Sequence, residues 1–241
     1  MDRPYIICHM LTSLDGKTIG DYLDEERTAY FIDEYENIHD RYGCKAWICG
    51  RITMEENFTL GNKLELEQSN TSSIPRTDFI AQNDASTYAV AVDPSGKLGW
   101  TKNYISEGSH NRTEHHIIEV LTEQVSDAYL AYLKNLGISY IFGGKERLNF
   151  SVVVRKLKQL FSIDELMLEG GGVLNGSFLN EDLIDELSLV IVPIVDGASN
   201  SVTLFEMDSS MKQQPSANFS LKSVEKLADD GLWLKYVTRR D

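Results

Sequence analysis

The sequence predicts an α/β protein with a mixed, mainly parallel central sheet, helices on both faces and an antiparallel hairpin at the C-terminal end. Over most of the 241 residues, short apolar segments alternate with segments of helical periodicity, an order typical of parallel sheets. The last two strand-like segments, about 218–227 and 232–238, are joined by Asp229-Asp230-Gly231, which is a hairpin signal. No internal repeat and no linker rich in proline or glycine divides the chain, so we expect one domain over residues 1–241.

The other strands are predicted from short apolar runs that end at glycine, proline or polar turn residues. In chain order these runs cover residues 5–12, 46–49, 88–92, 116–121, 139–142, 166–168 and 187–195. The residues between the runs at 92 and 116 and those from 59 to 86 show no periodicity. We expect residues 59–86 to form a long polar surface loop, which would suit a lid.

Helices are predicted from apolar residues spaced three and four apart and from residues that favour helix ends. Asp24 is expected to cap the first helix, whose apolar face includes Phe31 and Ile38, and Gly43 is expected to end it. Ser126 is expected to cap a helix that runs to about residue 136. Further helices are expected from Gly50, over 150–161 and after the glycines at 170–172.

Charge and hydropathy narrow the classes of partner. The formal net charge is -14 and the sequence pI is about 4.8, so the average field repels a phosphate-rich polymer and we expect no nucleic-acid partner. No apolar run approaches the ~20 residues that a membrane span needs, and the first residues lack a basic leader with a cleavage site. We therefore expect a cytoplasmic protein that acts on a small molecule.

The cysteines indicate reduced thiols and no metal site. Cys8, Cys44 and Cys49 are odd in number and lie in or next to strand-like segments. A zinc site would need cysteines or histidines at metal-ligand spacing, which this sequence does not offer.

The segment 166–179, Leu-Met-Leu-Glu-Gly-Gly-Gly-Val-Leu-Asn-Gly-Ser-Phe-Leu, is the most informative part of the chain. An apolar strand ends at Glu169, and Gly170, Gly171 and Gly172 precede a helix-like run. Glycines let a ligand approach the backbone closely, and the N–H groups at a helix start attract anions. The segment therefore suits a nucleotide pyrophosphate beside a carboxylate, and it equally suits a tight strand–helix turn that needs small residues.

Three more loops at strand ends carry polar groups, and ligands of open α/β sheets bind outside the carboxyl ends of strands. Ser13-Leu14-Asp15-Gly16 supplies an acid that could face Glu169 across a cleft. Gly50 and Thr53 can present N–H and hydroxyl donors at a helix start, and Ser95 with Lys97 could hold a phosphate monoester. Each loop alone also has an ordinary explanation as a turn, a solvated charge or a helix start.

Several segments recur in the order of one known family. They are Arg3-Pro4-Tyr5, Thr12 to Lys17, Gly50-x-x-Thr53, Val92 to Ser95 with Lys97-Leu98, Leu168 to Gly172 with Leu174, Phe178-Leu179, Leu183 to Leu187, Pro193 and Gly197. Together they resemble the reductase domain of the riboflavin-biosynthesis pyrimidine reductases, within the dihydrofolate-reductase-like superfamily. The resemblance runs from residue 3 to about residue 197, which is most of the chain.

The resemblance implies a central mixed sheet, a homodimer, NADPH as the hydride donor, and reduction of a ribosylaminopyrimidinone phosphate at the sugar C1′ after opening to an imine. It also implies a role for each matching residue. NADPH phosphates and ribose would contact Gly50, Thr53, Gly170, Gly171 and Gly172, and the adenosine 2′-phosphate would contact Ser95 and Lys97. Asp15 and Glu169 would flank the nicotinamide and the substrate as proton donors or hydrogen-bond acceptors, with Ser13 on the substrate side.

Two departures from that family lie on the substrate side. His9 stands where the family usually has a lysine, and Asn57 lies near the place of an acid in an Asp-Asp-Pro or Asp-Asn-Pro segment. Both are candidate substrate contacts, and their different polar pattern predicts that the riboflavin intermediate is a poor substrate. A pterin or folate reductase of the same fold, and a catalytically silent NADPH-binding sensor, remain as alternatives. The zinc deaminase signature of bifunctional family members is missing.

Overall fold

The computed structural model describes residues 2–62, 64, 66, 73–105, 112–207, 211 and 216–239. Within these residues the chain has nine strands in a mixed, mostly parallel sheet, five α-helices and a C-terminal antiparallel hairpin, which confirms the predicted fold class. The chain divides into two compact units, one formed by residues 1–4 and 45–166 and the other by residues 5–44 and 167–241. The single-domain organisation stays a prediction.

The strands and helices follow the predicted order. The strands are β1 (Tyr5–Thr12), β2 (Ala46–Gly50), β3 (Tyr88–Val92), β4 (His116–Thr122), β5 (Ser139–Gly144), β6 (Glu165–Leu168), β7 (Glu186–Ile191), β8 (Phe219–Lys226) and β9 (Leu232–Thr238). The helices are α1 (Glu26–Tyr42), α2 (Arg51–Asn57), α3 (Asp127–Leu136), α4 (Phe150–Phe161) and α5 (Gly172–Asn180).

In the unit formed by residues 1–4 and 45–166, the strand order is β5-β4-β3-β2, and all three pairings are parallel. Every residue of β3 and β4 is buried, so neither strand shows an alternating pattern, although β4 also buries His116, Glu119 and Thr122. Helix α3 begins at the predicted cap, and α4 covers the predicted residues 150–161. Ser126 accepts a hydrogen bond from the Tyr129 N–H and begins α3, and the Asn149 side chain does the same for the Val152 N–H at α4.

In the other unit the strand order is β6-β1-β7-β9-β8, with the β6 residues Glu165 and Leu166 counted in the first unit. β1 is parallel to β7, whereas β7 with β9, and β9 with β8, are antiparallel. The hairpin between β8 and β9 turns at 228–231, where Asp229 and Asp230 both have positive φ. Aspartate tolerates this conformation better than most residues, which explains the turn signal in the sequence.

Two predicted boundaries are wrong. Asp24 does not cap α1, because it ends a short 3-10 turn, and Glu25 occupies the N-cap position without a side-chain hydrogen bond. Gly43 does end α1, in the left-handed conformation at φ 60°. β7 stops at Ile191 instead of residue 195, since Pro193 has no N–H to donate to a strand ladder.

The described part of the 59–86 segment is fastened to its own unit. Phe79 forms an antiparallel bridge with Tyr140 through two N–H···O bonds of 2.9 Å. The Arg76 guanidinium donates to the carbonyl oxygens of Glu123 (3.0 Å) and Val125 (2.8 Å), and to Asp127. Residues 63, 65 and 67–72 lie outside the described residues, and a lid stays a prediction.

Two findings bear on membranes and metals. Over the residues described, no helix is long and apolar enough to cross a bilayer. The same residues contain no cluster of three or more histidine, cysteine or acidic side chains placed to hold a metal ion. Cys8, Cys44 and Cys49 are all buried, and none of the three forms a disulfide.

Candidate functional site

The three glycines after β6 differ in their backbone conformation and in the space that a side chain would have. Gly170 has φ +79°, and a Cβ there would lie 2.9 Å from the Met10 Cε atom. A Cβ on Gly172 would lie 2.5 Å from the Thr203 carbonyl oxygen, whereas a Cβ on Gly171 would meet nothing within 4 Å. Packing and conformation therefore explain glycine at 170 and 172. At Gly171 a Cβ has room, so this side of the turn is open to a ligand.

The start of α5 is closed on its inner side by the segment 203–206. The Glu206 N–H donates to the Gly172 carbonyl oxygen at 3.0 Å, and the Asn175 side-chain amide donates to the Leu204 carbonyl oxygen at 3.0 Å. The Glu206 carboxylate accepts from both the N–H and the hydroxyl of Thr203 at 2.7 Å. This bracing keeps the helix N-terminus at the end of β6, where its N–H groups would favour an anion.

Glu169, directly before these glycines, is paired with a histidine. His39 Nδ1 lies 2.7 Å from Glu169 Oε1, and both side chains are buried. Burial, with a smaller contribution from Glu169, raises the pKa of the neighbouring Cys8 thiol far above its usual value, so Cys8 stays protonated. His39 was not predicted from the sequence, where its signal is its position beside the buried Ile38 on α1.

His9 is fully buried, and both of its ring nitrogens are engaged inside the unit. Nε2 is 2.9 Å from the Tyr35 carbonyl oxygen, so it carries the proton, and Nδ1 is 3.0 Å from the Ser188 hydroxyl. The Trp233 indole N–H donates to the same Ser188 oxygen at 2.8 Å, and the His9 ring stacks on Tyr35 at 4.3 Å. Desolvation lowers the pKa of His9 to about 4, so it is neutral. A substrate contact by His9, which stays a prediction, would require this arrangement to open.

Asp15 is exposed, and its carboxylate is surrounded by donors. The Ser13 hydroxyl donates to it at 2.7 Å, and the N–H groups of Asp196 and Gly197 donate at 3.0 and 3.1 Å. These hydrogen bonds, the one from Ser13 first, lower the pKa of Asp15 to about 2. Asp15 is therefore ionised at neutral pH, which favours the acceptor role over the proton-donor role that the sequence also allowed.

The cofactor candidates of the other unit lie on a helix start and on a loop. Gly50 is the N-cap residue of α2, and Thr53 lies in the first turn. Asn57, at the last position of α2, donates its side-chain amide to the Thr53 carbonyl oxygen at 2.9 Å. The side-chain nitrogen of Asn57 thus contacts its own helix, while the residue itself is exposed.

Ser95 and Lys97 lie on an exposed loop that the buried Asp93 shapes. The Asp93 carboxylate accepts the N–H of Leu98 at 2.8 Å and the N–H of Lys97. Gly96 has φ +66°, and a Cβ there would lie 2.5 Å from the Tyr129 ring. The backbone of the loop is therefore held, while the Ser95 and Lys97 side chains remain exposed.

A second buried acid lies below this loop. Glu119 is fully buried, and its Oε1 accepts from the Tyr129 hydroxyl at 3.2 Å and from the Trp100 indole N–H. Desolvation, and then the nearby Asp93, raise the pKa of Glu119 well above its usual value. The raised pKa favours the neutral form of the Glu119 carboxyl group.

The structure brings the predicted residues together in four groups. They are Ser13 with Asp15, Glu169 with the three glycines, Gly50 with Thr53 and Asn57, and Ser95 with Lys97. The first two groups lie in one unit and the last two in the other. Their assembly into one site stays a prediction.

Comparison with known proteins identifies relatives along the whole chain. The family model of the RibD C-terminal domain matches residues 4–232. A 2,5-diamino-6-ribosylamino-4(3H)-pyrimidinone 5′-phosphate reductase of Aquifex aeolicus is 23% identical over 235 residues, covering 92% of each chain. A protein of the same name from Archaeoglobus fulgidus is 24% identical over 217 residues, covering 88% of this chain and 90% of the relative.

Solved structures show the same fold. The chain superposes on a RibD structure of Acinetobacter baumannii with a TM-score of 0.66, at 21% identity. This match covers 100% of the chain but only 59% of the Acinetobacter protein. The riboflavin biosynthesis reductase Rib7 of Saccharomyces cerevisiae matches with a TM-score of 0.61 at 15% identity, covering 99% of this chain and 91% of the yeast protein.

Proposed function

The chain belongs to the RibD C-terminal domain family, and we propose that it is an NADPH-dependent reductase of 2,5-diamino-6-ribosylamino-4(3H)-pyrimidinone 5′-phosphate or a closely related ribosylaminopyrimidine. The observation that carries the proposal is the match to curated reductases of that substrate over 92% of the chain and 92% of the Aquifex relative. The family implies a nicotinamide cofactor. We also propose a cytoplasmic location, which the three thiols that form no disulfide support.

The residues of the chain fit a nicotinamide dinucleotide. Gly171 leaves open space beside the N-terminus of α5, which suits a pyrophosphate. Ser95 and Lys97 present an exposed hydroxyl and ammonium on a braced loop, which suits the 2′-phosphate that distinguishes NADPH from NADH. The cofactor, when bound, supplies the hydride, and the protein contributes orientation and electrostatics.

The different surroundings of Asp15 and Glu169 support different roles in the reaction. Asp15, held ionised, accepts hydrogen bonds from substrate N–H or hydroxyl groups and keeps its charge through the reaction. Glu169, buried and paired with His39, is the group suited to giving up a proton as the substrate is reduced. The mechanism is therefore proton donation from Glu169, with a fixed negative charge at Asp15.

The prediction that the riboflavin intermediate is a poor substrate depends on substrate contacts by His9 and Asn57, and the position of His9 does not support the first of these contacts. Because His9 is fully buried and bonded to Tyr35 and Ser188, its difference from the family need not alter the substrate pocket. The names of the curated relatives favour the pyrimidinone phosphate, and we adopt it as the substrate.

The proposal is tested with purified protein, NADPH and the ribosylaminopyrimidinone phosphate, by following absorbance at 340 nm and identifying the product by mass spectrometry. We expect substrate-dependent oxidation of NADPH and a product heavier by two hydrogen atoms. Tight binding of NADPH without turnover of this substrate or a pterin would support the silent sensor instead.

Cofactor choice has its own test. A charge-assisted hydrogen bond contributes roughly 1.5–3 kcal/mol to binding, and a solvent-exposed one contributes an amount at or below the lower end of that range. We therefore expect Lys97→Ala to weaken NADPH binding by about tenfold. NADH binding should change little. Lys145→Ala removes another exposed lysine from the same unit and should leave both affinities unchanged. Equal weakening of NADPH and NADH by Lys97→Ala would remove this residue from the 2′-phosphate site.

We also propose that the protein is a homodimer through one face of β7, β9 and β8. Leu189 lies opposite Leu234, which lies opposite Val224, so these side chains share one face of the sheet. The apolar residues of this face are half-buried or exposed: Leu189, Ile191, Leu232, Leu234, Tyr236, Leu221 and Val224. Leu221 and Val224 are each 54% exposed, and a continuous apolar surface of this kind is typical of a protein interface.

The dimer is tested by light scattering of the double variant Leu221→Lys, Val224→Lys. We expect a dimeric wild type and a monomeric variant with an unchanged circular dichroism spectrum. Ser223→Lys, on the opposite face of the same strand, should remain dimeric. A monomeric wild type, or a double variant that stays dimeric, would contradict the proposal.

A further inference from the structure

His39 and Glu169 form a buried pair that the family resemblance does not account for. They are 130 residues apart in the chain, and His39 Nδ1 lies 2.7 Å from Glu169 Oε1. Their side chains are only 9% and 4% exposed. A distance this short between an imidazole and a carboxyl group indicates a strong hydrogen bond that is shielded from water.

We propose that His39 is a positioning residue, which holds the Glu169 carboxyl group in the orientation that the reduction needs. The proposal rests on the proposed function, because it concerns the acid that the mechanism uses. A glutamate has three side-chain torsions, so an unheld carboxyl group samples several orientations. A directional hydrogen bond from a rigid helix removes most of that freedom.

The helix that carries His39 is well suited to this role. α1 packs through Phe31 and Ile38, both of which are fully buried, and ends at the left-handed Gly43. His39 lies in the last turn of this helix, so the backbone that carries its imidazole is held in place. A neutral imidazole that donates its Nδ1–H to Oε1 leaves the other carboxyl oxygen to carry the proton that Glu169 gives up.

Two other ionisable groups near Glu169, Cys8 and His9, are engaged or protonated in ways that leave this hydrogen bond to His39. The Cys8 thiol stays protonated because burial raises its pKa. Both nitrogens of His9 are engaged by Tyr35 and Ser188.

Two substitutions separate the hydrogen bond from the bulk of the side chain. His39→Asn places an amide nitrogen at the position of Nδ1 and keeps a donor, whereas His39→Leu keeps the volume and removes the donor. We expect His39→Leu to lower kcat by roughly 10- to 100-fold, as misplacement of a reacting group does. KM for NADPH should stay unchanged, and His39→Asn should recover most of kcat. An unchanged kcat in His39→Leu, or equally low values in both variants, would overturn the proposal.

A spectroscopic test needs no turnover. In ¹⁵N NMR spectra of the wild type, Nδ1 of His39 should carry a proton at neutral pH, and Glu169→Gln should shift its resonance. An unprotonated Nδ1, or an Nδ1 resonance that does not shift in Glu169→Gln, would overturn the pairing. This test does not depend on whether His39→Leu folds. Failure of the proposed function is recognised separately, because the wild type would then show the His39 signature without reducing the pyrimidinone phosphate.

Discussion

The turn after β1 and the turn after β6 each follow a buried strand and carry one acid and at least one glycine, but the two acids have opposite surroundings. Asp15 is exposed and accepts hydrogen bonds from Ser13, Asp196 and Gly197. Glu169 is buried and bonded to an imidazole, a group that itself takes up and releases protons.

We propose that these different surroundings give the two carboxyl groups different roles. Donors that do not titrate hold Asp15 in its ionised form, so that it serves as a fixed charge. We propose that the buried Glu169, hydrogen-bonded to His39, donates the proton that the reduction requires. The comparison makes the two acids distinguishable in kinetics.

The largest expected effect follows from neutralising each acid in turn. Glu169→Gln should lower kcat by roughly 10²–10⁴-fold, the usual contribution of general acid catalysis, with little change in NADPH affinity. Asp15→Asn should chiefly raise KM for the pyrimidine substrate, because it alters an acceptor and not a proton donor. Steady-state kinetics and NADPH titration of both variants give kcat, KM and the NADPH affinity. Similar losses of kcat in both variants would contradict the different roles of Glu169 and Asp15.

The glycines of the second turn give the next effect. Gly171→Ala should fold normally, since its Cβ meets nothing within 4 Å, and should weaken NADPH binding by roughly tenfold, equivalent to about 1.4 kcal/mol. Gly172→Ala should instead lower the melting temperature, because its Cβ would lie 2.5 Å from the Thr203 carbonyl oxygen. Normal NADPH affinity in a folded Gly171→Ala protein would show that the turn is only a connector.

The smallest effect concerns Asp15 and pH. The pKa of Asp15 is lowered to about 2 in the folded protein. Its ionised form therefore stabilises the folded state fully at pH values above the ordinary pKa of an aspartate. That contribution is lost as the pH falls from about 4 toward 2. The wild type should therefore melt slightly higher than Asp15→Asn at pH 6, and thermal scans should show this difference shrinking with acid. A difference that is constant between pH 6 and pH 3 would contradict the stated pKa.

Asp93 resembles Asp15, because it too is a strand-end aspartate that accepts hydrogen bonds from backbone N–H groups. Unlike Asp15, it is fully buried and shapes the loop of Ser95 and Lys97. A strand-end acid that binds backbone N–H groups is thus a turn-forming element first. The reason to place Asp15 near the substrate comes from the family and from its exposure.

Local patterns predicted the elements well because they depend on neighbouring residues. The limits of β1, β3 and α4 follow from apolar runs and helical spacing. Ser126 acts through its own side chain on the next turn, and Gly43 acts through its own backbone conformation. The prediction for Asp24 failed because Asp24 ends a 3-10 turn of its own, leaving the N-cap position to Glu25.

By itself, the sequence determined the order of strands and helices, the family through motifs in a fixed order, and the residue types available to a nucleotide and a substrate. Only the tertiary structure decided that Glu169 meets His39, that His9 is buried among Tyr35 and Ser188, and that Gly171 alone of its three glycines is unobstructed. The physical reason is the distance along the chain over which each kind of interaction acts. Periodicity and capping act over a few residues along the chain, whereas burial and side-chain pairing depend on which distant segments the sheet brings into contact.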